Sequence, residues 1–131
     1  SLSGGDLPSG AMCEASDLLL LHGNGVEDPA RIRAMVRHCR DQHGYHGPIV
    51  FNEDDHYDFE QAANNFLAAT AEHASWGFFD FRREGEGFEQ GYQSVPVDWS
   101  ISSARKRGFF KTVQRLAGKQ AVSGSTFQVP D

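Results

Sequence analysis

At 131 residues, 39% apolar and 23% charged, the chain can bury one core, but it is too short for a complete eight-stranded β/α barrel of about 200 residues or more. Twelve basic against eighteen acidic residues leave a net charge of −6, which argues against nucleic acid as a partner, because phosphate backbones are held by clustered positive charge. Fourteen glycines and five prolines are too few for a low-complexity chain, and the longest apolar run, Leu18 to Leu21, is far below a membrane span, so no membrane partner is expected.

Residues 1–16 are rich in Ser and Gly and predict loop with at most a short helical turn. The chain opens at Ser1 without a Met, as expected of one that begins part-way through a larger reading frame or after processing. Asp17 to His22 holds an unalternating apolar run, the pattern of a strand buried in a parallel sheet, and Gly23-Asn24-Gly25 should end it. Asp28-Pro29 is a helix start, with Asp as cap and Pro where no hydrogen bond is lost. Ile32, Met35, Val36 and Cys39 follow at helical spacing and Gly44 fits the stop. Cys39 reads as a small buried hydrophobe, and with Cys13 permits one disulfide without requiring it.

Pro48 to Phe51 is a second short buried run, ending in Asn52-Glu53-Asp54-Asp55. Phe59, Ala62, Ala63, Phe66, Leu67, Thr70, Ala71 and Ala74 keep a helical stripe. Ser75 to Phe81 is a third strand. Residues 82–99 carry four acidic residues and three glycines, with Phe88, Tyr92 and Trp99, and read as a long functional loop. A last helix is predicted from about Ser102 to Ala117, burying Phe109, Phe110, Val113 and Leu116 and ending at Gly118, before a polar tail from Lys119. The basic triplet Arg105-Lys106-Arg107 reads as a solvated face of that helix. The whole predicts one α/β domain with about three parallel strands and three main helices, either an open sheet or part of a closed barrel.

In a parallel α/β sheet, groups at the carboxyl ends of the strands gather on one rim, where ligands bind. That rule collects His22 and Asn24, then Asn52, Glu53, Asp54 and Asp55, then Asp80. Glu53 stands out as a carboxylate on a rigid element, with Trp76 and the long loop available to shape a sugar-sized cleft. Glu53 could equally open a solvated acidic turn, and Trp76 could fill the core. His43 and His46 precede the second strand and should lie at the other end of the sheet. No GxGxxG, phosphate-binding loop or GxSxG motif occurs, so no nucleotide cofactor or serine nucleophile is expected, and a His/carboxylate metal site ranks below a carboxylate site.

The strand ends PIVFNEDD and ASWGFFD, followed by GYQSVPVDW and the terminal helix, form a pattern over residues 17–117. It resembles the carboxyl-terminal part of the retaining glycoside hydrolases built on (β/α)8 barrels, the clan that includes cellulases. The resemblance implies a partial, half TIM-type barrel in which Leu18 to His22 is the sixth strand and Ser1 to Gly5 the tail of the fifth. It makes Glu53, at the end of the seventh strand, the catalytic nucleophile, and Trp76, on the eighth, a sugar-contacting group. His22, Asn24, Asn52, Asp80 and Tyr92 would surround the carbohydrate substrate. The clan's acid/base Glu follows an Asn on the fourth strand and would fall before Ser1. Asn52-Glu53 has that same look, which leaves the acid/base role open for Glu53 in a differently counted barrel.

Retaining hydrolysis needs two carboxyl groups about 5 Å apart, so a chain with one of them is expected to be inactive alone. Three parallel strands also leave open edges, which predicts a homodimer joined through them. Two further readings stay open: a non-catalytic α/β domain binding a ligand or partner at the same rim, and a metal-dependent hydrolase using His22, Glu53 and Asp80.

Overall fold

The computed structural model describes residues 3–56, 58–80, 83–87 and 100–123, with side chains to residue 118 in the last helix. A short helix α1 (Gly10–Ala15), capped by the Ser9 hydroxyl, precedes strand β1 (Leu19–His22). Helix α2 (Pro29–Arg37) runs on into a π-helical turn over His38–Gln42. Strand β2 (Ile49–Asp54), helix α3 (Asn65–Ala71), strand β3 (Ser75–Phe78) and helix α4 (Ala104–Ser123) follow.

The α2 start is formed as its residue types dictate: the Asp28 carboxylate accepts the Ala30 amide at 2.9 Å, with Pro29 in the first turn. Gly44 takes a left-handed conformation (φ 63°) just past the π turn, a conformation glycine adopts without penalty. Both cysteines are free and buried. Burial pushes the Cys39 thiol up to about 11, so it stays protonated at neutral pH and serves as an inert filler.

The three strands are parallel and lie in chain order, β1-β2-β3. Leu21, Phe51 and Trp76 pair across the sheet in one row, and all three are buried. The next row, Leu20, Val50 and Ser75, points the other way, and Leu20 is 38% exposed. Helices α2 and α3 pack against each other, so both crossovers lie over the same face. The helix-covered face holds the core of Leu19, Leu21, Ile32, Met35, Val36, Ile49 and Phe51, and the opposite face is open among the described residues. This is a mixed α/β fold with one three-stranded parallel sheet and four helices in the described residues.

Several predicted boundaries move. Strand β2 runs past Phe51 through three polar residues, because the Asp54 side chain finds partners inside. Strand β3 stops at Phe78, which leaves Asp80 beyond its end. The helix expected from Phe59 begins only at Asn65, because the Asn64 side chain caps it by accepting the Leu67 amide at 2.9 Å. Its buried face is Asn65, Phe66, Ala68 and Ala69, while Ala62, Ala63 and Ala71 of the predicted stripe are exposed. Phe59 is buried nonetheless, as a ring set edge-on to Trp76 and Phe78 from an irregular turn.

In α4 the residues with least exposure are Lys106, Gly108 and Thr112; Phe109 and Leu116 are partly covered, whereas Phe110 and Val113 lie on the exposed side. Lys106 is therefore not on a solvated face. The helix also continues past Gly118 to Ser123. Residues 88–99, with Tyr92 and Trp99, lie outside the described residues. No helix among the described residues is long and apolar enough to cross a membrane.

Candidate functional site at the carboxyl rim of the sheet

One irregularity in β2 organises the rim. Leu21 pairs with Phe51 but His22 pairs with Glu53, and on the other side Phe51 pairs with Trp76 but Asp54 with Phe78. Strand β2 thus carries one extra residue between Phe51 and Asp54, a β-bulge. With it, Phe51 and Asp54 both face the helices, and Asn52 and Glu53 are set outward.

Asp54 is fully buried, and its carboxylate is the centre of the polar interior. One oxygen, Oδ2, accepts the Trp76 indole N–H at 2.9 Å and the Asn65 amide at 3.0 Å. The other, Oδ1, accepts the His56 backbone N–H at 3.1 Å and pairs with His56 Nδ1 at 2.8 Å. Asn65 also donates to the Val26 carbonyl at 2.8 Å, which ties the β1–α2 loop to α3. Gly23 is required here: a Cβ on it would lie 2.1 Å from Asp54 Oδ2. Its amide donates to the Glu53 carbonyl at 2.7 Å, closing the ends of β1 and β2 together.

Of the residues expected around a ligand, the structure joins His22 and Glu53. His22 Nδ1 lies 3.6 Å from Glu53 Oε2, with the imidazole mostly covered and the carboxylate 39% exposed. The buried His22 Nε2 has no hydrogen-bond partner. Asn52 is exposed on β2, and Asn24 sits half-buried in the turn after β1, against the backbone of Gly4. Tyr92 falls outside the described residues.

Trp76 is placed elsewhere. It is 9% exposed, stacked on Phe66 with centroids 5.0 Å apart, and its N–H is used by Asp54. It lies on the covered face, whereas the bulge sends Glu53 outward, so the two do not line one cleft. Asp80 is buried in a separate ionic group, where Arg105 bridges it to Glu86. Burial raises the Asp80 carboxyl above its usual range, against the opposing pull of Arg105. Among the described residues, His22, Glu53 and Asp80 do not gather their ligand atoms into one metal-sized group. His43 is at the amino end of the sheet, as its position before β2 implies, with its Nε2 3.1 Å from His38 Nε2.

Sequence reasoning placed Asp54 on the rim with no role. The usable signal was Gly23 opposite a polar strand end, together with Asn64-Asn65, which a hydrophobic count passes over. Replacing Asp54 by Asn turns one acceptor oxygen into an N–H2 facing other donors. Asp54→Asn is expected to lower stability by about 2–3 kcal/mol in urea unfolding, against less than about 0.5 kcal/mol for the surface control Asp41→Asn.

No family model matches the chain, and no curated protein or solved structure is similar to it.

Proposed function

We propose that the chain is the carboxyl-terminal β/α portion of a retaining (β/α)8-barrel glycoside hydrolase, with Glu53 as the nucleophile. The observation that carries this reading is the bulge in β2, which turns Glu53 outward at the carboxyl end of a parallel strand and sets it beside His22. Three features support it. The strands follow one another in chain order with their crossover helices on one face, an arrangement suited to an arc of a barrel wall. Leu20 on the opposite face is exposed, as a residue of a barrel interior is when part of the wall is missing. The Gly5 amide donates to the His22 carbonyl at 3.0 Å, in keeping with a neighbouring strand ending there.

In the chemistry, Glu53 attacks the anomeric carbon to form a glycosyl ester, and His22 holds the carboxylate in place. A second carboxyl group must protonate the leaving oxygen, and on this reading it comes from the fourth strand of the same barrel. The role of Trp76 then changes from sugar platform to support: it holds Asp54, and Asp54 holds the bulge. The chain alone binds sugar weakly and turns nothing over.

The test uses 2-deoxy-2-fluoro glycosides with activated leaving groups on the longest natural form of the protein. Such substrates need no acid catalyst for the first step and trap the ester. We expect a stable adduct on the peptide bearing Glu53, absent from Glu53→Gln. A label on another residue contradicts the assignment. The burial of Trp76 is the observation that favours the second reading, a non-catalytic α/β binding domain; on that reading no adduct forms with any member of the series.

The open sheet also bears on association. With β1 and β3 as edges and Leu18 and Leu20 exposed beside them, we propose that the isolated chain forms a two-fold dimer through this region. Sedimentation velocity at micromolar concentration should show a dimer for this chain and a monomer for Leu20→Glu. A monomeric parent chain rules the dimer out.

A further inference from the structure

A second feature of the rim lies on its helix side and plays no part in the glycosidase reading. Gly25, Glu27, Asp55, His56, Asp58 and Arg83 line a polar cleft of about 310 Å³. Glu27, His56 and Asp58 also line an adjoining cavity of about 50 Å³ that reaches Asn65. Part of this lining is already engaged. The Asp55 carboxylate accepts the Gly25 amide at 3.3 Å, and His56 Nδ1 lies 2.8 Å from Asp54 Oδ1 and 3.4 Å from Asp55 Oδ1. Arg83 is turned to the backbone, its Nη2 donating to the Asp55 carbonyl at 3.1 Å. The Glu27 and Asp58 carboxylates have no hydrogen-bond or ion-pair partner among the described residues.

Acidic residues gather on many surfaces with nothing bound, and Asn65 sets this group apart. It is 2% exposed. Its amide nitrogen donates to the Val26 carbonyl at 2.8 Å and to Asp54 Oδ2 at 3.0 Å, which fixes the other end of the side chain as the oxygen. That Oδ1 is buried and has no hydrogen-bond partner. On a small polar cavity, it is an acceptor that lacks its donor.

The acceptors left over come from three elements: Glu27 in the loop before α2, Asp58 in the turn after β2, and Asn65 at the start of α3. They surround the space without converging on a point. Among the described residues, the one group of three carboxylate, imidazole or thiol ligand atoms close enough for a metal ion is Asp54, Asp55 and His56, to which Glu27 and Asp58 do not belong. A compact charge, metal ion or ammonium, therefore does not suit this lining. A guanidinium does, because it spreads one positive charge and five N–H donors around the edge of a flat group, so that its acceptors stand well apart. Three carboxylates against the single Arg83 favour such a cation over a neutral polyol.

We propose that this cleft binds a guanidinium group, with N–H donors directed to Asn65 Oδ1 through the small cavity and to the Glu27 and Asp58 carboxylates on either side. The alkyl stem of the ligand leaves through the larger cleft, whose volume is at the small end of ligand sites. The group belongs to free arginine or to an arginine side chain of a protein segment, and the chemistry of recognition is the same for both. The site bridges the β1–α2 loop and the turn after β2, and it does not depend on what Glu53 does.

The experiment is an arginine titration of the full chain at constant ionic strength, followed by nuclear magnetic resonance of the backbone amides and of the Asn65 side-chain amide. We expect saturable shifts at Asn65 and in the loop bearing Glu27 at millimolar arginine. Citrulline, which has the same shape without the charge, and n-butylamine, which has the charge without the fork, should each bind about tenfold more weakly or less. Asp58→Asn and Glu27→Gln should each weaken arginine binding by about tenfold, while Asp41→Asn on the remote π turn leaves it unchanged. Asp58 and Glu27 are exposed, so these variants keep the fold, which circular dichroism checks. A blocked tripeptide with arginine between two glycines separates the sources: tighter binding than arginine identifies a protein segment, and weaker binding identifies the free amino acid. Absence of saturable shifts with both arginine and the tripeptide overturns the site. Citrulline binding as strongly as arginine, or arginine binding undiminished in both Asp58→Asn and Glu27→Gln, also overturns it.

Discussion

The buried carboxylate of Asp54 is the constraint on which the rest of this structure depends. A charge in a protein interior is tolerated only when its lone pairs are matched, and here donors arrive from three separate elements: the Trp76 indole of β3, the Asn65 amide of α3 and both nitrogens offered by His56. Each donor is locked in turn. Trp76 is stacked between Phe66 and Phe78, and Asn65 holds the Val26 carbonyl. One side chain thereby ties the middle strand to its neighbour, to the helix above and to the β1–α2 loop.

Neighbouring residues acquire opposite fates from this anchor. An ordinary pleat from Phe51 would put Glu53 among the helices and leave Asp54 outside. The extra residue in β2 reverses that arrangement, and the reversal suits both side chains. Asp54 meets fixed donors in the interior, while Glu53 stays partly solvated, 3.6 Å from His22. Gly23 makes the exchange possible, since any larger residue would collide with the Asp54 oxygen.

Much of the frame was legible because it rests on local chemistry. The apolar runs in Leu18 to Leu21 and Pro48 to Phe51, the Asp28-Pro29 helix start and the glycine at residue 44 each carry a rule that the fold obeys. Several of the departures share one cause: polar residues acting in the interior. Asn64 starts α3 six residues inside the predicted stripe, Asn65 and Lys106 occupy buried positions, and β2 runs through Asn52 and Glu53 to reach Asp54. A count of apolar spacing gives these residues no weight, because what admits them is a partner distant in the chain. Trp76 illustrates the same point. Its residue type suits a sugar platform or a core, and only the position of its hydrogen-bond acceptor decides between them.

The most direct measurement of the anchor is hydrogen exchange at the Trp76 indole N–H, followed by nuclear magnetic resonance with the resonance assigned through a Trp76→Phe spectrum. If Asp54 holds this group inside the sheet, the proton exchanges slowly in the native chain and its protection collapses in Asp54→Ala while the helices persist. An indole proton that exchanges as fast as one in open solvent, or that is equally protected without the Asp54 carboxylate, would contradict the account of how the rim is built.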